Sequence, residues 1–186
     1  MPRKIAFMDI DTQYDFINPA GRLYVPGAEK LIPNLKRLFG FAEKNKIPII
    51  SSLDTHVKND PEFKNFPPHC IKGSKGHKKI KETLTLKTKQ ILVTKYTIDI
   101  FSNAKIKSIL KSYWSVYVFG VALDYCVKAA CLGLLELGIK TYLVTDATKA
   151  ASDKGRVKTL SLLKKKGVTL LTVDTLVKKI KREGNK

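Results

Sequence analysis

Short apolar stretches rich in β-branched residues alternate along this chain with longer segments whose apolar positions recur at helical spacing. The apolar stretches cover residues 5–8, 47–51, 90–94, 116–119, 141–144 and 169–172. Helical patterns lie near residues 28–45, 104–112, 125–137, 154–166 and 173–182. This alternation is typical of parallel strands joined by helical crossovers that cover both faces of a sheet. The sequence therefore predicts a three-layer α/β/α fold with a six-stranded, mainly parallel sheet.

One long segment, residues 54–87, departs from this alternation. It is rich in Pro, Gly, His and Lys, and long irregular loops in compact domains are often functional. The chain has 186 residues and contains no internal repeat or low-complexity linker. Because that length suits one hydrophobic core, we expect residues 1–186 to form a single domain.

Composition adds a strong positive charge to this picture. The net charge is +19, from 35 Lys and Arg against 16 Asp and Glu, which raises the possibility of a nucleic-acid partner. The excess is mostly lysine and is spread along the chain, and clusters such as 164–166 lie at predicted helix ends, where cations suit the dipole. No motif combines basic and aromatic residues. We therefore favour a solvated, lysine-rich surface over a nucleic-acid site.

The cysteines and the apolar segments bear on the cellular compartment. The chain has 3 cysteines, an odd number whose spacing does not indicate a disulfide framework. No apolar run is long enough to span a membrane, and the N-terminal sequence MPRKIAFMDID lacks the apolar core of a signal peptide. We therefore expect a cytoplasmic protein with free thiols and no membrane partner.

Reactive side chains follow the predicted strands at their carboxyl ends, where parallel sheets bind their ligands. These residues are Asp9, Asp11 and Asp15 after the first strand, Asp54 and His56 after the second, Lys95 after the third and Cys126 after the fourth. Strand ends of this kind meet at one edge of a sheet. A set of carboxylates, an imidazole, an amine and a thiol at that edge indicates an active site.

Cys126 lies in the stretch VYVFGVALDYCVKAA, residues 116–130. Gly120 interrupts the apolar strand, and Asp124 is predicted to cap the following helix, which places Cys126 in its first turn. A helix N-terminus favours a thiolate, and its N–H groups could hold a developing oxyanion. The alternative is that Cys126 is a small buried hydrophobic residue, as most free cysteines are.

Five motifs occur in an order that resembles the nicotinamidase and isochorismatase-like cysteine hydrolases. They are DIDTQYDF at 9–16, DTH at 54–56, FPPHC at 66–70, K-x-x-x-D-x-F at 95–101 and GVALDYC at 120–126. The resemblance covers nearly the whole chain. It implies an isochorismatase-like fold and a cysteine hydrolase activity.

The resemblance implies a catalytic triad of Asp11, Lys95 and Cys126. Asp9 is an alternative for the acid, because it would share a strand face with Asp11. We prefer Asp11, where the family motif begins, and expect Asp15 to order the following turn. For Lys95 the competing interpretation is a solvated lysine among many.

The resemblance also implies how a substrate would be held. The oxyanion hole would consist of the backbone N–H groups of Ala122 and Cys126, with a cis peptide bond before Ala122. Phe16 and Phe66 would form aromatic walls of the pocket, and Val121 would line it.

A divalent metal site is implied by the same family. Its ligands would be Asp54, His56 and His69, with Glu62 as the fourth ligand and Asp60 as the alternative. Asp54 and His56 are two residues apart, so both side chains could point the same way from an extended segment. A site of carboxylates and imidazoles suits Zn²⁺ first, with Mn²⁺ or Fe²⁺ as alternatives.

The remaining candidates have structural interpretations. His77 lies among lysines and is predicted to be a surface residue. Cys70 and Cys131 are predicted to be packed inside the protein rather than to act as ligands or nucleophiles.

The family resemblance implies hydrolysis of a small carboxamide, nicotinamide to nicotinate and ammonia, through a thioester. One alternative is a related enzyme with the same triad that acts on another small amide or a ureido compound. Isochorismate is less favoured, because its cleavage does not use the metal site. A second alternative is a non-enzymatic nucleic-acid-binding module, which would bind DNA with a steep salt dependence. Relatives often form oligomers, so a homo-oligomer is a further expectation.

Overall fold

The protein is described by a computed structural model that covers residues 4–184. Its strands are β1 (Ile5–Ile10), β2 (Ile49–Asp54), β3 (Gln90–Lys95), β4 (Ser115–Val121), β5 (Lys140–Lys149) and β6 (Thr169–Leu171). Its α-helices are α1 (Tyr14–Ile17), α2 (Ile32–Asn45), α3 (Ile106–Leu110), α4 (Lys128–Glu136), α5 (Asp153–Lys165) and α6 (Val173–Gly184). A π-helix, Leu123–Val127, directly precedes α4. Short 3₁₀ turns cover Ala28–Leu31, Pro61–Lys64, Lys81–Thr83 and Ile100–Ser102.

The strands form one sheet in the order β3-β2-β1-β4-β5-β6, and every neighbouring pair is parallel. The predicted six-stranded parallel sheet is thus confirmed. β5 is longer than predicted, and its pairing with β4 is irregular: Val118 pairs with Leu143, and Gly120 pairs with Thr148. The predicted domain also included residues 1–3 and 185–186, which lie outside the described residues.

Apolar side chains alternate between the two faces of the sheet, as the pleat of a strand requires. Phe7 and Phe119 pack on one face with the apolar sides of α2 and α6. Met8 and Val118 pack on the other face with α3, α4 and α5. Each large apolar side chain buried in this way contributes roughly 1.5–3 kcal/mol. Helices therefore cover both faces, and the predicted three-layer α/β/α arrangement is confirmed.

The strand order reverses at β1, which lies between β2 and β4. The chain leaves β1 toward β2 and β3, and later returns to β4 on the other side. Loops that leave the carboxyl ends of two such strands diverge and open a crevice, which is where open α/β sheets bind ligands. Asp11 follows β1 directly, and Cys126 lies in the π-helix after β4.

Gly120 allows β1 and β4 to approach closely at this crevice. Its backbone has φ 112°, a conformation that residues with a side chain rarely adopt. A Cβ atom at this position would lie 2.1 Å from the carbonyl oxygen of Ile10. Glycine is therefore required where the chain turns from β4 toward Cys126.

Within residues 4–184, no helix is long and apolar enough to cross a membrane.

Candidate active site

Asp11, Lys95 and Cys126 come together at the carboxyl edge of the sheet. The ammonium nitrogen of Lys95 lies 2.9 Å from Oδ2 of Asp11 and 3.6 Å from Sγ of Cys126. The side chain of Lys95 is buried, with 1% of its surface exposed. Lys95 is the last residue of β3, and it is therefore not one of the solvated lysines. A base, a cation and a thiol thus occupy one site.

The two oxygens of Asp11 have different surroundings. Ser52 donates its hydroxyl to Oδ1 at 2.6 Å and accepts the backbone N–H of Asp11 at 2.9 Å. Oδ2 faces Lys95 but has no aligned hydrogen-bond donor among the described residues. One oxygen is therefore fixed by the fold, and the other is available to accept a proton.

Burial changes the acid–base behaviour of this site. It raises the pKa of the Cys126 thiol well above its usual range, and Lys95 offsets only part of this effect. Burial also raises the pKa of Asp11, again against the effect of Lys95. Burial therefore opposes the thiolate that the helix N-terminus is predicted to favour. The raised pKa of Asp11 makes its carboxylate a stronger base for the thiol proton, while burial of Cys126 opposes loss of that proton.

The helix that carries Cys126 begins differently from the prediction. The residue before its first turn is Ala122, whose carbonyl oxygen accepts the N–H groups of Tyr125 and Val127. Asp124 lies inside the turn, and its carboxylate accepts the N–H of Ala151 at 3.0 Å. The predicted Asp124 cap is therefore wrong, because this carboxylate binds a neighbouring loop instead. The peptide bond between Val121 and Ala122 is cis, as the resemblance implied.

Asp54, His56 and His69 form a second cluster beside this trio. Oδ2 of Asp54 lies 3.0 Å from Nε2 of His56 and 3.2 Å from Nε2 of His69. The other oxygen of Asp54, Oδ1, lies 2.6 Å from the ammonium group of Lys95. Asp54 therefore connects the cluster with the trio of Asp11, Lys95 and Cys126.

In each of the two histidines, Nδ1 is the ring nitrogen that faces away from Asp54, and it contacts another oxygen atom. Nδ1 of His69 lies 2.8 Å from the carbonyl oxygen of Pro67. A proton on Nδ1 would donate to that oxygen and leave Nε2 free to bind a metal. Nδ1 of His56 lies 3.0 Å from Oδ2 of Asp60, although the two atoms are not aligned for a hydrogen bond. Asp60 therefore contacts His56 on the side that faces away from Asp54.

This donor set fits a divalent cation. One ligand atom from each of Asp54, His56 and His69 lies within 4.8 Å of the others, and all three residues are buried. Burial opposes charge on His56, yet Asp54 raises the pKa of this imidazole to about 9. Burial likewise opposes charge on Asp54, but Lys95 and the two imidazoles hold its pKa well below the usual range. Asp54 therefore stays ionised beside the two imidazoles, and oxygen and imidazole donors suit zinc and related metals.

Glu62 lies near this cluster but is not part of it. It lines the same pocket as Asp54 and His69, while the group of closely spaced ligand atoms contains only three residues. Burial raises the pKa of Glu62, and the negative charge of Asp54 adds to this effect. The assignment of Glu62 as a fourth ligand stays a prediction.

A pocket of about 210 Å³ is lined by Cys126 and by two residues of the candidate metal site, Asp54 and His69. Its walls include the predicted pocket residues Phe16, Phe66, Val121 and Ala122. Tyr125 also lines it, and its ring meets that of Phe66 edge to face at a centroid distance of 6.0 Å. Drug-sized ligands occupy pockets of roughly 300–1,000 Å³, so this smaller volume suits a ligand with one ring.

The family model of the Isochorismatase domain matches residues 6–175. The chain belongs to the isochorismatase family. A protein of Saccharomyces cerevisiae named nicotinamidase is 28% identical over 192 residues, which cover 80% of this chain and 89% of the relative. The nicotinamidase of Escherichia coli is 26% identical over 180 residues, which cover 79% of this chain and 84% of the relative.

The fold of this isochorismatase-family protein is similar to that of the pyrazinamidase of Pyrococcus horikoshii, whose crystal structure is a complex with zinc. The TM-score is 0.85 at 26% identity, and the match covers 91% of this chain and 99% of that chain. Family membership and these relatives make the chain a hydrolase that acts on amide carbon–nitrogen bonds.

Two supporting residues of this isochorismatase-family site were not predicted. Ser52 orients Asp11, and Gln13 binds the backbone of Asp54 on both sides: it accepts the N–H at 2.8 Å and donates to the carbonyl oxygen at 2.9 Å. Gln13 belongs to the DTQYDF motif, so the family motif could have identified it as a site residue. Ser52 has no such signal, because it contacts a residue 41 positions away.

Several structural interpretations can also be assessed. Asp15 orders the following turn, as predicted, by accepting the N–H of Arg22. Cys70 and Cys131 are buried, as predicted. The prediction that His77 is a surface residue is wrong: it is half-buried, and its Nε2 lies 2.8 Å from the hydroxyl of Thr55.

Proposed function

We propose that this enzyme hydrolyses nicotinamide to nicotinate and ammonia through a thioester on Cys126. The observation that carries the proposal is the meeting of three groups at one edge of the sheet: the Lys95 ammonium group contacts both the Cys126 thiol and the Asp11 carboxylate. The nicotinamidases of yeast and Escherichia coli among its relatives support this choice of substrate. The fine specificity and the residue roles below are part of the proposal.

In the first half of the reaction, Oδ2 of Asp11 accepts the proton of the Cys126 thiol. The sulfur attacks the amide carbon, and the carbonyl electron pair moves onto oxygen. Lys95 stabilises the negative charge that the proton transfer leaves around the sulfur. The backbone N–H groups of Ala122 and Cys126 donate hydrogen bonds to the oxyanion.

In the second half, Asp11 returns the proton to the amide nitrogen, and ammonia leaves as the carbon–nitrogen bond breaks. A water molecule then attacks the thioester while Asp11 accepts one of its protons. The carbon–sulfur bond breaks, Cys126 regains a proton from Asp11, and the acid product loses its remaining proton to solvent or ammonia to give nicotinate. Phe16, Phe66 and Val121 hold the ring, since its faces are apolar.

Asp54, His56 and His69 would hold one divalent cation, with Glu62 as the fourth ligand. Zinc is our first choice, since the relative from Pyrococcus horikoshii is a zinc complex, and manganese or iron are alternatives. When bound, the cation supplies a Lewis acid that can orient a pyridine nitrogen. Asp54, whose other oxygen contacts Lys95, would hold this cation beside the reacting groups.

We expect protein purified without chelator or added metal to contain up to one divalent ion per chain. His56→Ala and His69→Ala should each lose this metal, because each removes one of three closely spaced donors. His77→Ala is the matched control, since it removes the remaining histidine and lies outside the cluster. Elemental analysis of the three variants is the measurement. Full metal retention in both His56→Ala and His69→Ala would place the metal elsewhere.

The substrate proposal is tested by ammonia release from a panel of small amides with metal-replete enzyme. Nicotinamide and pyrazinamide should be hydrolysed, while benzamide, which has the same ring size without a ring nitrogen, should have a kcat/KM at least about tenfold lower. If benzamide had the same kcat/KM as nicotinamide, the ring nitrogen would have no part in substrate recognition. Turnover of a ureido compound with none of nicotinamide would instead favour the related enzyme with another substrate.

A further inference from the structure

A second buried ion pair lies beside the proposed active site. The ammonium nitrogen of Lys79 lies 2.7 Å from Oδ2 of Asp9, and the two side chains are 2% and 0% exposed. Asp9 lies in β1, two residues before Asp11, while Lys79 belongs to the long segment between β2 and β3. Neither residue contributes to the proposed chemistry, although a buried charge pair carries a large desolvation cost.

The hydroxyl of Thr12 joins the two charged groups. It lies 2.9 Å from Oδ1 of Asp9 and accepts a hydrogen bond from Lys79 at 2.7 Å. It also lies 2.8 Å from the hydroxyl of Thr83. Ser51 donates to Oδ2 of Asp9 at 2.9 Å. The ion pair is therefore completed by hydrogen bonds, as a buried charge requires.

This network fastens the turn after β1 to residues 76–80. Backbone hydrogen bonds run from Tyr14 N–H to Lys78 O at 2.8 Å and from Ile80 N–H to Thr12 O at 3.0 Å. The turn after β1 and residues 76–80 therefore run antiparallel, joined by backbone hydrogen bonds. The Asp9–Lys79 ion pair adds a side-chain link between them.

Asp11 lies inside the fastened turn and has an unusual backbone. Its φ is 49°, in the left-handed region that residues with side chains rarely occupy. Such a conformation persists only where the surroundings hold it. Ser52 contacts Asp11 from one side, and the Asp9, Thr12 and Lys79 network holds the residues on both sides of it.

We propose that the Asp9–Lys79 pair is a positioning element that keeps Oδ2 of Asp11 directed at Cys126 and Lys95. This inference rests on the role proposed above for Asp11. The alternative is that the pair only stabilises the fold. Replacing a buried pair with uncharged groups of similar size is often neutral for stability, so the two roles can be separated.

The test compares wild type with the double variant Asp9→Asn/Lys79→Met, which removes both charges and keeps similar volumes. Lys78→Met, at an exposed neighbouring lysine, is the control. We expect the double variant to keep its thermal midpoint within a few degrees, while kcat falls at least about tenfold and KM changes much less. Lys78→Met should leave both kinetic constants unchanged.

Alkylation of Cys126 provides a readout that does not depend on the substrate. The Asp11 carboxylate raises the pKa of the thiol, so a displaced Asp11 should lower the pH midpoint of alkylation in the double variant. This shift would support positioning even if nicotinamide were the wrong substrate.

A folded double variant with the wild-type kcat and alkylation midpoint would overturn the proposal. Thr12→Val, which removes the joining hydroxyl but keeps the side-chain shape, covers the case in which the double variant does not fold. We expect Thr12→Val to fold, to lose several-fold in kcat and to shift the alkylation midpoint in the same direction. Wild-type kinetics in Thr12→Val, with an unfolded double variant, would show that the pair serves the fold alone.

Discussion

Replacing Lys95 with alanine should lower kcat/KM for amide hydrolysis by at least about a hundredfold. The ammonium group lies within 2.9 Å of carboxylate oxygens from both Asp11 and Asp54. Without it, two buried carboxylates would face each other, and one would take up a proton. A protonated Asp11 could not accept the proton of the thiol. Breaking a buried ion pair should also cost about 3–5 kcal/mol of folding stability, so activity is measured on the folded fraction.

Two further variants show whether charge or geometry matters at this position. Lys95→Arg keeps the charge, but the planar guanidinium is wider and donates in other directions, so we expect it to fold and still be severely impaired. Lys89→Ala is the matched control, because Lys89 is exposed just before β3 and should be nearly silent. Lys87→Ala, at another exposed lysine, should behave in the same way.

The pH dependence of Cys126 alkylation gives a second measurement for Lys95. The ammonium group lowers the pKa of the thiol, against the larger effect of burial. Its removal should therefore move the alkylation midpoint to higher pH, opposite to the shift expected when Asp11 is displaced. If Lys95→Ala matches Lys89→Ala in rate and midpoint, Lys95 has no place in the reaction.

Cys126→Ala should lower ammonia release by at least about a thousandfold, because no other group can form the thioester. The side chain is small and half-buried at the pocket, so the variant should fold and still bind metal. Cys131→Ala is the matched control. Cys131 is fully buried in the core and does not line the pocket, so its loss should reduce stability slightly and leave turnover nearly intact.

The central sheet and the meeting of its strand ends were predictable from the sequence. The apolar runs at β1 and β4 are continuous, as strands covered on both faces require, and Asp54 and Lys95 end neighbouring strands in register. Parallel pairing then brings these side chains to one edge. Residues such as Asp11 and Lys95 were found because strand position and family motif agreed.

The supporting contacts were not predictable, because they join residues that are far apart in the sequence. Lys79 looked like one more lysine in a basic segment, yet it is buried against Asp9, 70 positions away. Asp124 was wrongly predicted to cap the helix, since the sequence pattern does not reveal that its carboxylate binds the N–H of Ala151. The effect of burial on the pKa of the Cys126 thiol was also not predicted, because burial depends on the packed structure rather than on helix position.

The central claim is that Cys126 hydrolyses nicotinamide by a thioester route. The most direct measurement follows nicotinate and ammonia together, with metal-replete wild type and Cys126→Ala prepared in the same way. The account predicts equal amounts of the two products from wild type and neither product, above the uncatalysed background, from the variant. Absence of turnover by metal-replete wild type, or equal turnover by Cys126→Ala, would contradict it.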